Sequence, residues 1–247
     1  ILDGKGNEFD FKGQINPRGN EMESTSVVTR FSTKFRWINS EYPIIAKMLS
    51  PTDIIIVICE AYYNNLKVNK PLSFEEIKVK LSLFETLFTP RTECQKFIIE
   101  DDVYDIEEYF ENNFSKLVYN NIKDANFFER ISALVTKIGP EEWKNVFALF
   151  WNFNPQLTKL FDDLISKYMQ LDFADTVYLS MDSVLREKGT LLDVSRLDEI
   201  YDKFNGQEVG YTEITRVFYK DKVGNEKTVE FSKSFLCALT SELIFVL

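Results

Sequence analysis

The side chains with the clearest chemical potential form a run of carboxylates between residues 100 and 111. The run contains no basic residue, and its acids are Glu100, Asp101, Asp102, Asp105, Glu107, Glu108 and Glu111. Carboxylates that converge on a pair of divalent ions are the basis of metal-dependent hydrolysis. A carboxylate-and-metal hydrolase is therefore one function that these residues raise.

The spacing of the same run favours a docking surface over a metal site. Val103, Ile106 and Phe110 recur at helical intervals, so they occupy one face of a predicted helix. The acids are then spread over the opposite, solvated face, where they also suit the N-terminal end of a helix. We expect this acidic face to dock a basic partner, and its members are Asp101, Asp102, Asp105, Glu108 and Glu111.

Histidine is absent from all 247 residues, which excludes Ser-His-Asp and Cys-His relays, His-ligated metals and a histidine pH switch. The cysteines are Cys59, Cys94 and Cys237, an odd number without a CxxC pair, as expected in a reducing cytosol. The glycine-bearing stretches lack the sequence context of phosphate-binding loops. We therefore predict no catalytic residue, no metal and no cofactor.

One short stretch, Arg30 to Trp37, combines a basic excess with aromatic rings. As a strand it places Arg30, Lys34 and Arg36 on one face and its rings on the other. That face could clamp a nucleic-acid strand by charge and stacking, whereas docking of the rings on a helical body explains the same alternation. The chain has 29 basic and 39 acidic side chains, a net charge of −10, so we expect any nucleic-acid contact to be weak and local.

The N-terminal segment contains Lys5-Gly6-Asn7-Glu8-Phe9-Asp10-Phe11-Lys12. This stretch resembles the start of the small accessory subunit of phosphorothioation-dependent restriction systems. The resemblance covers no catalytic motif and carries no functional residue over to this chain. It implies a bacterial defence protein that works beside an ATPase and a helicase-like partner.

The elements that must position these residues are mostly helical by their apolar periodicity. Ser50-Pro51-Thr52-Asp53 supplies an N-cap and a first turn for a buried run, Ile54–Tyr63, that fits a helix or a buried strand. Ser73-Phe74-Glu75-Glu76 is a capping box that opens a helix through Leu87. Helical stripes continue through residues 103–169.

The C-terminal part has the order helix, helix, helix, hairpin. We predict helices over 155–170, 173–188 and 194–204, followed by a β-hairpin over 211–233 and a last buried helix over 234–246. The order is winged-helix-like, which would place the 194–204 helix in the DNA major groove. The acids on that helix repel a phosphate backbone, so contact with DNA and contact with protein both stay open.

The predicted fold class is mainly α, with a multi-helix body, a C-terminal β-hairpin and an irregular N-terminal arm. The corresponding domains are the arm (1–37), the helical body (38–153) and a helical subdomain with the hairpin (154–247). The longest clean aliphatic run, Ile54 to Cys59, is far shorter than the roughly 20 residues of a spanning helix. No signal peptide is visible, and a chain that starts at Ile1 suggests a fragment.

We therefore expect a cytoplasmic protein without membrane contact. The leading hypothesis is a non-catalytic assembly or adaptor subunit that acts through protein–protein surfaces. The alternative is an accessory subunit of a nucleic-acid-targeting defence complex that uses Arg30, Lys34 and Arg36. The carboxylate-and-metal hydrolase is third.

Overall fold

The computed structural model describes five stretches of the chain: residues 28–32, 39–63, 70–88, 97–184 and 214–246. Among the helices of these stretches, none combines the length and the apolar content needed to traverse a lipid bilayer.

The chain divides into two compact units. One, the sheet unit, is Ile1–Leu49 together with Lys167–Leu247, and the other, the helical unit, is Ser50–Ser166. The chain thus leaves the sheet unit after its second strand and returns to it near the end of a helix. The predicted domain boundaries after residues 37 and 153 stay predictions.

The helical unit is built from consecutive short helices. Its elements are α1 (Pro51–Tyr63), α2 (Phe74–Leu87), α3 (Glu100–Asn113), α4 (Lys116–Asp124), α5 (Phe127–Val135), a 3-10 turn (Pro140–Glu142), α6 (Trp143–Phe147) and most of α7 (Pro155–Met169).

Local capping contacts start the first two helices, as their sequences predict. Ser50 Oγ accepts a hydrogen bond from the Asp53 amide at 3.0 Å, and an Asp53 carboxylate oxygen accepts one from the Ser50 amide at 2.9 Å. Ser73 and Glu76 make the same reciprocal pair before α2, where Glu76 Oε2 lies 2.8 Å from the Ser73 amide. Both predicted N-termini are confirmed, and the run after Ser50 is a helix.

Aromatic rings fill the core of the helical unit. The Phe150 ring lies 4.7 Å from the rings of both Phe110 and Phe127, so residues of α3 and α5 meet on it. The Trp151 ring lies 5.3 Å from that of Phe161 on α7. Each such pair contributes about 0.5–1.5 kcal/mol beyond the burial of its area. This packing explains the long apolar stripes of the middle of the chain.

The sheet unit contains a six-stranded mixed sheet in the order β1-β6-β2-β3-β4-β5. Its strands are β1 (Val28–Ser32), β2 (Ile44–Met48), β3 (Thr176–Leu179), β4 (Ile214–Lys220), β5 (Glu226–Ser232) and β6 (Thr240–Val246). The β1–β6 pair is parallel and the other pairs are antiparallel. Two short helices, α8 (Met181–Val184) and α9 (Lys233–Leu239), follow β3 and β5.

The prediction of a mainly α, all-helical body with a single hairpin is wrong, because half a dozen strands form one sheet. The run Thr240–Val246, placed in the last predicted helix, is the strand β6, and Thr176–Leu179, placed in the 173–188 helix, is β3. Both runs are too short for apolar periodicity to separate a buried strand from a helix. Hydrogen bonding to β1 and β2 makes the first run a strand, and hydrogen bonding to β4 makes the second run a strand.

The predicted hairpin strands do pair, over Ile214–Lys220 and Glu226–Ser232. They extend the sheet rather than form the wing of a three-helix domain, because β3 lies next to β4 where the second helix was expected. The winged-helix-like order is therefore also wrong. The predicted helix over 194–204 lies outside the described residues.

Two turns on either side of α7 share an unusual backbone. Asn152 and Phe153 before the helix have φ angles of 49° and 52°, and Asp172 and Phe173 after it both have 51°. Glycine is the residue that normally takes this left-handed region at no cost. In both turns the amide of the phenylalanine donates to the carbonyl five residues earlier, at 2.7 and 3.3 Å. These hydrogen bonds offset the strain of two consecutive left-handed residues.

The capping box of α2 gives the first testable prediction. Ser73→Ala removes the side-chain acceptor at the start of α2, so we expect it to lower the free energy of unfolding by about 1 kcal/mol. Urea unfolding followed by the fluorescence of Trp143 and Trp151, which lie in the same unit, measures the loss. Asn120→Ala, at an exposed position of α4, is the control and should change stability by less than about 0.5 kcal/mol. Equal effects of the two substitutions would contradict the role of the cap.

Candidate functional site

The acidic face predicted from the sequence lies on α3, and one of its members is used by the helix itself. An Asp102 carboxylate oxygen accepts a hydrogen bond from the Ile99 amide at 2.7 Å, which satisfies a free donor at the start of α3. At the other end, a hydrogen bond with Tyr119 on α4 raises the pKa of Lys123, and the charges of Glu111 and Glu107 act in the same direction. Asp102 and Glu111 therefore have partners within the unit.

The other members of the predicted acidic face lie near an exposed ring. Asp101 and Glu108 are three and four residues from Tyr104, so they are its neighbours on the helix surface, and Asp105 follows it in the chain; Tyr104 is 52% exposed. In the described part of the chain, none of these three carboxylates makes an ion pair or a side-chain hydrogen bond. Nor do three or more acidic or cysteine side chains come together there as a group that could hold a metal ion. The geometry of α3 is that of an open acidic surface.

A second surface lies on α2 and was not predicted from the sequence. The exposed fractions of Val79, Leu83 and Leu87 are 66%, 57% and 73%, although the three recur every fourth residue like a buried stripe. The helix buries Ile77 and Leu81 on its opposite side. Thus α2 is apolar on two sides, and we name the exposed row Val79-Leu83-Leu87 the outer stripe. The four-residue spacing is visible in the sequence, but only the fold shows which row is covered.

Charged side chains flank the outer stripe. The ammonium groups of Lys78 and Lys80 lie 5.6 Å from the ring centre of Phe74 and 4.4 Å from that of Phe153. By contrast, Glu75 is exposed, and within the described ranges it has no hydrogen-bond or ionic partner. Both lysines keep their positive charge in these contacts, so the rim of the outer stripe carries charges of both signs.

Of the predicted nucleic-acid contacts, Arg30 lies on β1 and is paired. Its Nε atom is 2.5 Å from Glu242 Oε1 on β6, and Lys47 Nζ on β2 is 3.3 Å from the other carboxylate oxygen. The sheet register explains this, because Glu242 lies opposite Lys47 in the antiparallel pair and beside β1 in the parallel one. Lys34 and Arg36 lie outside the described residues. One carboxylate thus offsets part of the charge of two cations.

A cluster of titratable groups joins the hairpin to the loop after α7. The Tyr219 hydroxyl donates to Asp172 Oδ2 at 3.0 Å, and Lys227 Nζ lies 2.7 Å from the same oxygen and 3.3 Å from Asp221. Burial, with the hydrogen bond to Asp172, raises the pKa of the Tyr219 phenol, so this phenol stays protonated at neutral pH. These contacts hold the hairpin against the loop after α7, which is a structural role.

Two further titratable groups, on α1 and α3, also stay protonated at neutral pH. Burial raises the pKa of the Cys59 thiol, so it stays protonated and behaves as a small apolar side chain. Burial and a hydrogen bond to the Glu60 carboxylate raise the pKa of Tyr109 to about 12. Cys94 and the side chain of Cys237 lie outside the described residues.

Comparison with known families identifies the chain. The model of the family described as "Putative bacterial virulence factor" matches residues 1–247. The chain belongs to this bacterial virulence factor family. No curated protein and no solved structure gives a significant match. The family's description names no reaction, ligand or partner, so the surfaces of this virulence factor family member have to be interpreted from their own chemistry.

The turn of the hairpin in this family member predicts a pH dependence. Asn225, through its side chain and then its backbone, holds the pKa of the Asp221 carboxyl at about 2, below its unfolded value of about 3.9. The carboxylate therefore stabilises the fold above pH 4, and this contribution is lost as pH falls from about 4 to 2. We expect the gap in melting temperature between the wild type and Asp221→Asn to be full at pH 5 and to close towards pH 2.

Thermal melting followed by circular dichroism between pH 2 and 6 measures this gap. Asp124→Asn is the matched control, because Asp124 is exposed and has no side-chain hydrogen bond within the described ranges. A gap for Asp221→Asn that stays constant across this pH range would contradict the role of the turn.

The ion pair between β1 and β6 gives a second prediction for this unit. A double-mutant cycle with Arg30→Gln and Glu242→Gln should give a coupling free energy of about 1 kcal/mol, since the carboxylate is largely buried. The control is Lys220 with Glu226 on the hairpin, which are 3.5 Å apart and both well exposed, so their coupling should be under about 0.3 kcal/mol. Urea unfolding measures both cycles, and equal couplings would overturn the distinction.

Proposed function

We propose that this virulence factor family member is a non-catalytic assembly or adaptor subunit that works in the cytoplasm through protein–protein surfaces. The observation that carries the proposal is the outer stripe of α2. Single exposed apolar side chains are common on protein surfaces, but three large ones in a row on one helix are typical of a contact site. A non-catalytic role also fits the titratable groups described above, whose hydrogen bonds serve the fold.

The size of the stripe suits a reversible contact. Full burial of a valine or leucine side chain contributes about 1.5–3 kcal/mol, and more than half of each stripe residue is still exposed. Covering all three would therefore contribute a few kcal/mol, which is enough to anchor an interface but too little to form one alone.

The acidic face of α3 supports the same proposal in a second way. Its unpaired carboxylates Asp101, Asp105 and Glu108 create a local negative potential around Tyr104. Such a potential increases the association rate of a positively charged partner and discriminates against acidic ones. The cytoplasmic placement rests on the odd number of cysteines in the sequence, which contains no CxxC pair.

The other hypotheses remain predictions. A nucleic-acid contact through Arg30, Lys34 and Arg36, as in the restriction-system resemblance, has to work with an Arg30 whose charge is already paired with Glu242. A carboxylate-and-metal hydrolase would need ligands beyond the acids of α3. Neither is favoured by a specific contact in the described residues.

A photo-crosslinking amino acid at position 83 of the full chain tests the proposal. In the bacterium that encodes the protein, we expect irradiation to give discrete adducts of higher mass, because a bound partner would cover Leu83. The same amino acid at position 120, which is exposed on α4, is the control for random collisions.

Affinity purification of two charge variants completes the test. Leu83→Asp should reduce recovery of the crosslinked partner at least about tenfold, the cost of a charge in an apolar contact. Asn120→Asp adds the same charge elsewhere and should leave recovery unchanged. Adducts of equal yield from positions 83 and 120, or full recovery with Leu83→Asp, would sink the proposal.

A further inference from the structure

The helical unit lies in the connection between two neighbouring strands of the sheet. β2 and β3 pair antiparallel, and such pairs are usually joined by about two to five residues. Here the chain leaves the sheet after Met48 and returns at Asp175, and the Met48 amide donates a hydrogen bond to the Asp175 carbonyl at 2.9 Å. The points of exit and return are therefore direct neighbours, and the whole helical unit is part of the loop between them.

The chain crosses between the two units through one very short segment and one helix. At the first crossing, β2 ends at Met48 and α1 begins at Pro51. At the second, the boundary between Ser166 and Lys167 falls inside α7, so a continuous helix joins the units. Independent domains are instead usually separated by flexible linkers. The chain on both sides of the β2–β3 pair is thus continuous with helical structure.

An unfolded connection of this length opposes the pairing of β2 with β3. The chance that two ends of a chain meet falls with roughly the 3/2 power of its length, so an unfolded stretch from Leu49 to Ala174 would disfavour the pair by a factor on the order of a thousand. A folded helical unit reduces this cost, because its own contacts already bring the stretch together. They include the ring contacts of Phe150 and the bidentate ion pair of Arg130 on α5 with Glu85 on α2.

We propose that the helical unit is the closing element of the sheet. When it is folded it favours the β2–β3 pair, and through this pair the rest of the sheet, so that the two units fold and unfold together. A coupling between two equilibria is reciprocal, so the folded sheet stabilises the helical unit by the same factor. This coupling follows from the path of the chain and is independent of the adaptor function.

Unfolding of the full chain in urea, resolved by unit, tests this coupling. A pulse of hydrogen–deuterium exchange at each urea concentration, read by mass spectrometry, gives the unfolded fraction of peptides from α3 to α5 and of peptides from β2, β3 and β6. We expect one common midpoint in the wild type, whereas two independent units unfold separately. Ser73→Ala on α2 and Arg30→Gln on β1 should each shift both sets of peptides equally.

Separate midpoints in the wild type, or shifts confined to the unit that carries the substitution, would overturn the proposal. Circular dichroism without urea confirms that each variant starts from the folded state.

A matched pair of insertions distinguishes the crossing from other sources of cooperativity. A flexible glycine–serine segment of about twenty residues between Leu49 and Ser50 makes closure of β2 on β3 costly again. It should lower the equilibrium constant for folding of the sheet on the order of a hundredfold, so that the sheet peptides unfold at lower urea than the helical peptides.

The control carries the same segment between Val223 and Gly224, in the exposed turn of the hairpin. This insertion leaves both crossings intact, so it should lower the midpoints of the two units together. Common midpoints after the insertion at Leu49 would contradict the proposal, because the cooperativity would then not depend on the crossing. Separation of the midpoints by both insertions would contradict it as well.

Discussion

The sheet unit depends on the pairing of β6 with two strands from the other end of the chain. β6 lies between β1 and β2, and it pairs parallel with one and antiparallel with the other. Its register sets Glu242 beside Arg30 and Lys47, which gives the sheet an ionic contact across three neighbouring strands. Without β6, β1 has no partner in the described sheet and β2 keeps only β3. The helical unit is a continuous insertion into this pairing.

Closing this sheet carries a larger loop-closure entropy cost than the contacts of the helical unit do. Residues 28 and 242 have to meet before β1 gains any hydrogen bond, so the contact comes from opposite ends of the chain. Contacts of the helical unit are shorter in range, as between α3 and α5 or within a capping box. Folding rates fall as the mean separation of contacts rises, so we expect β6 pairing to be among the slow steps.

The same difference in range explains what could be predicted from the sequence. The N-termini of α1 and α2 were predictable because Ser50 with Asp53, and Ser73 with Glu76, satisfy each other within one turn. The strand β6 was not predictable, because its seven residues suit a buried helix equally well until β1 and β2 are placed beside it. Local signals determine local structure, including the β4–β5 hairpin, but the pairing of β6 with β1 and β2 is not local.

The same limit applies to the surfaces: features set by neighbouring residues could be predicted, and contacts distant in sequence could not. The acids of α3 could be placed on one face from the sequence, but the use of Asp102 as a helix cap depends on backbone geometry. The charge of Arg30 was counted without its partner, since Glu242 is distant in sequence. The outer stripe was missed because an apolar row at four-residue spacing normally marks a core, and its exposure depends on how α2 packs.

The two left-handed turns around α7 have a consequence for the helix between them. Helix elongation is inexpensive once a helix has formed, so a long amphipathic helix tends to add or lose a turn at its ends. Asn152-Phe153 and Asp172-Phe173 reverse the sign of φ just before and just after α7. They therefore act as stops, and they make α7 a segment of fixed length where the chain passes from one unit into the other.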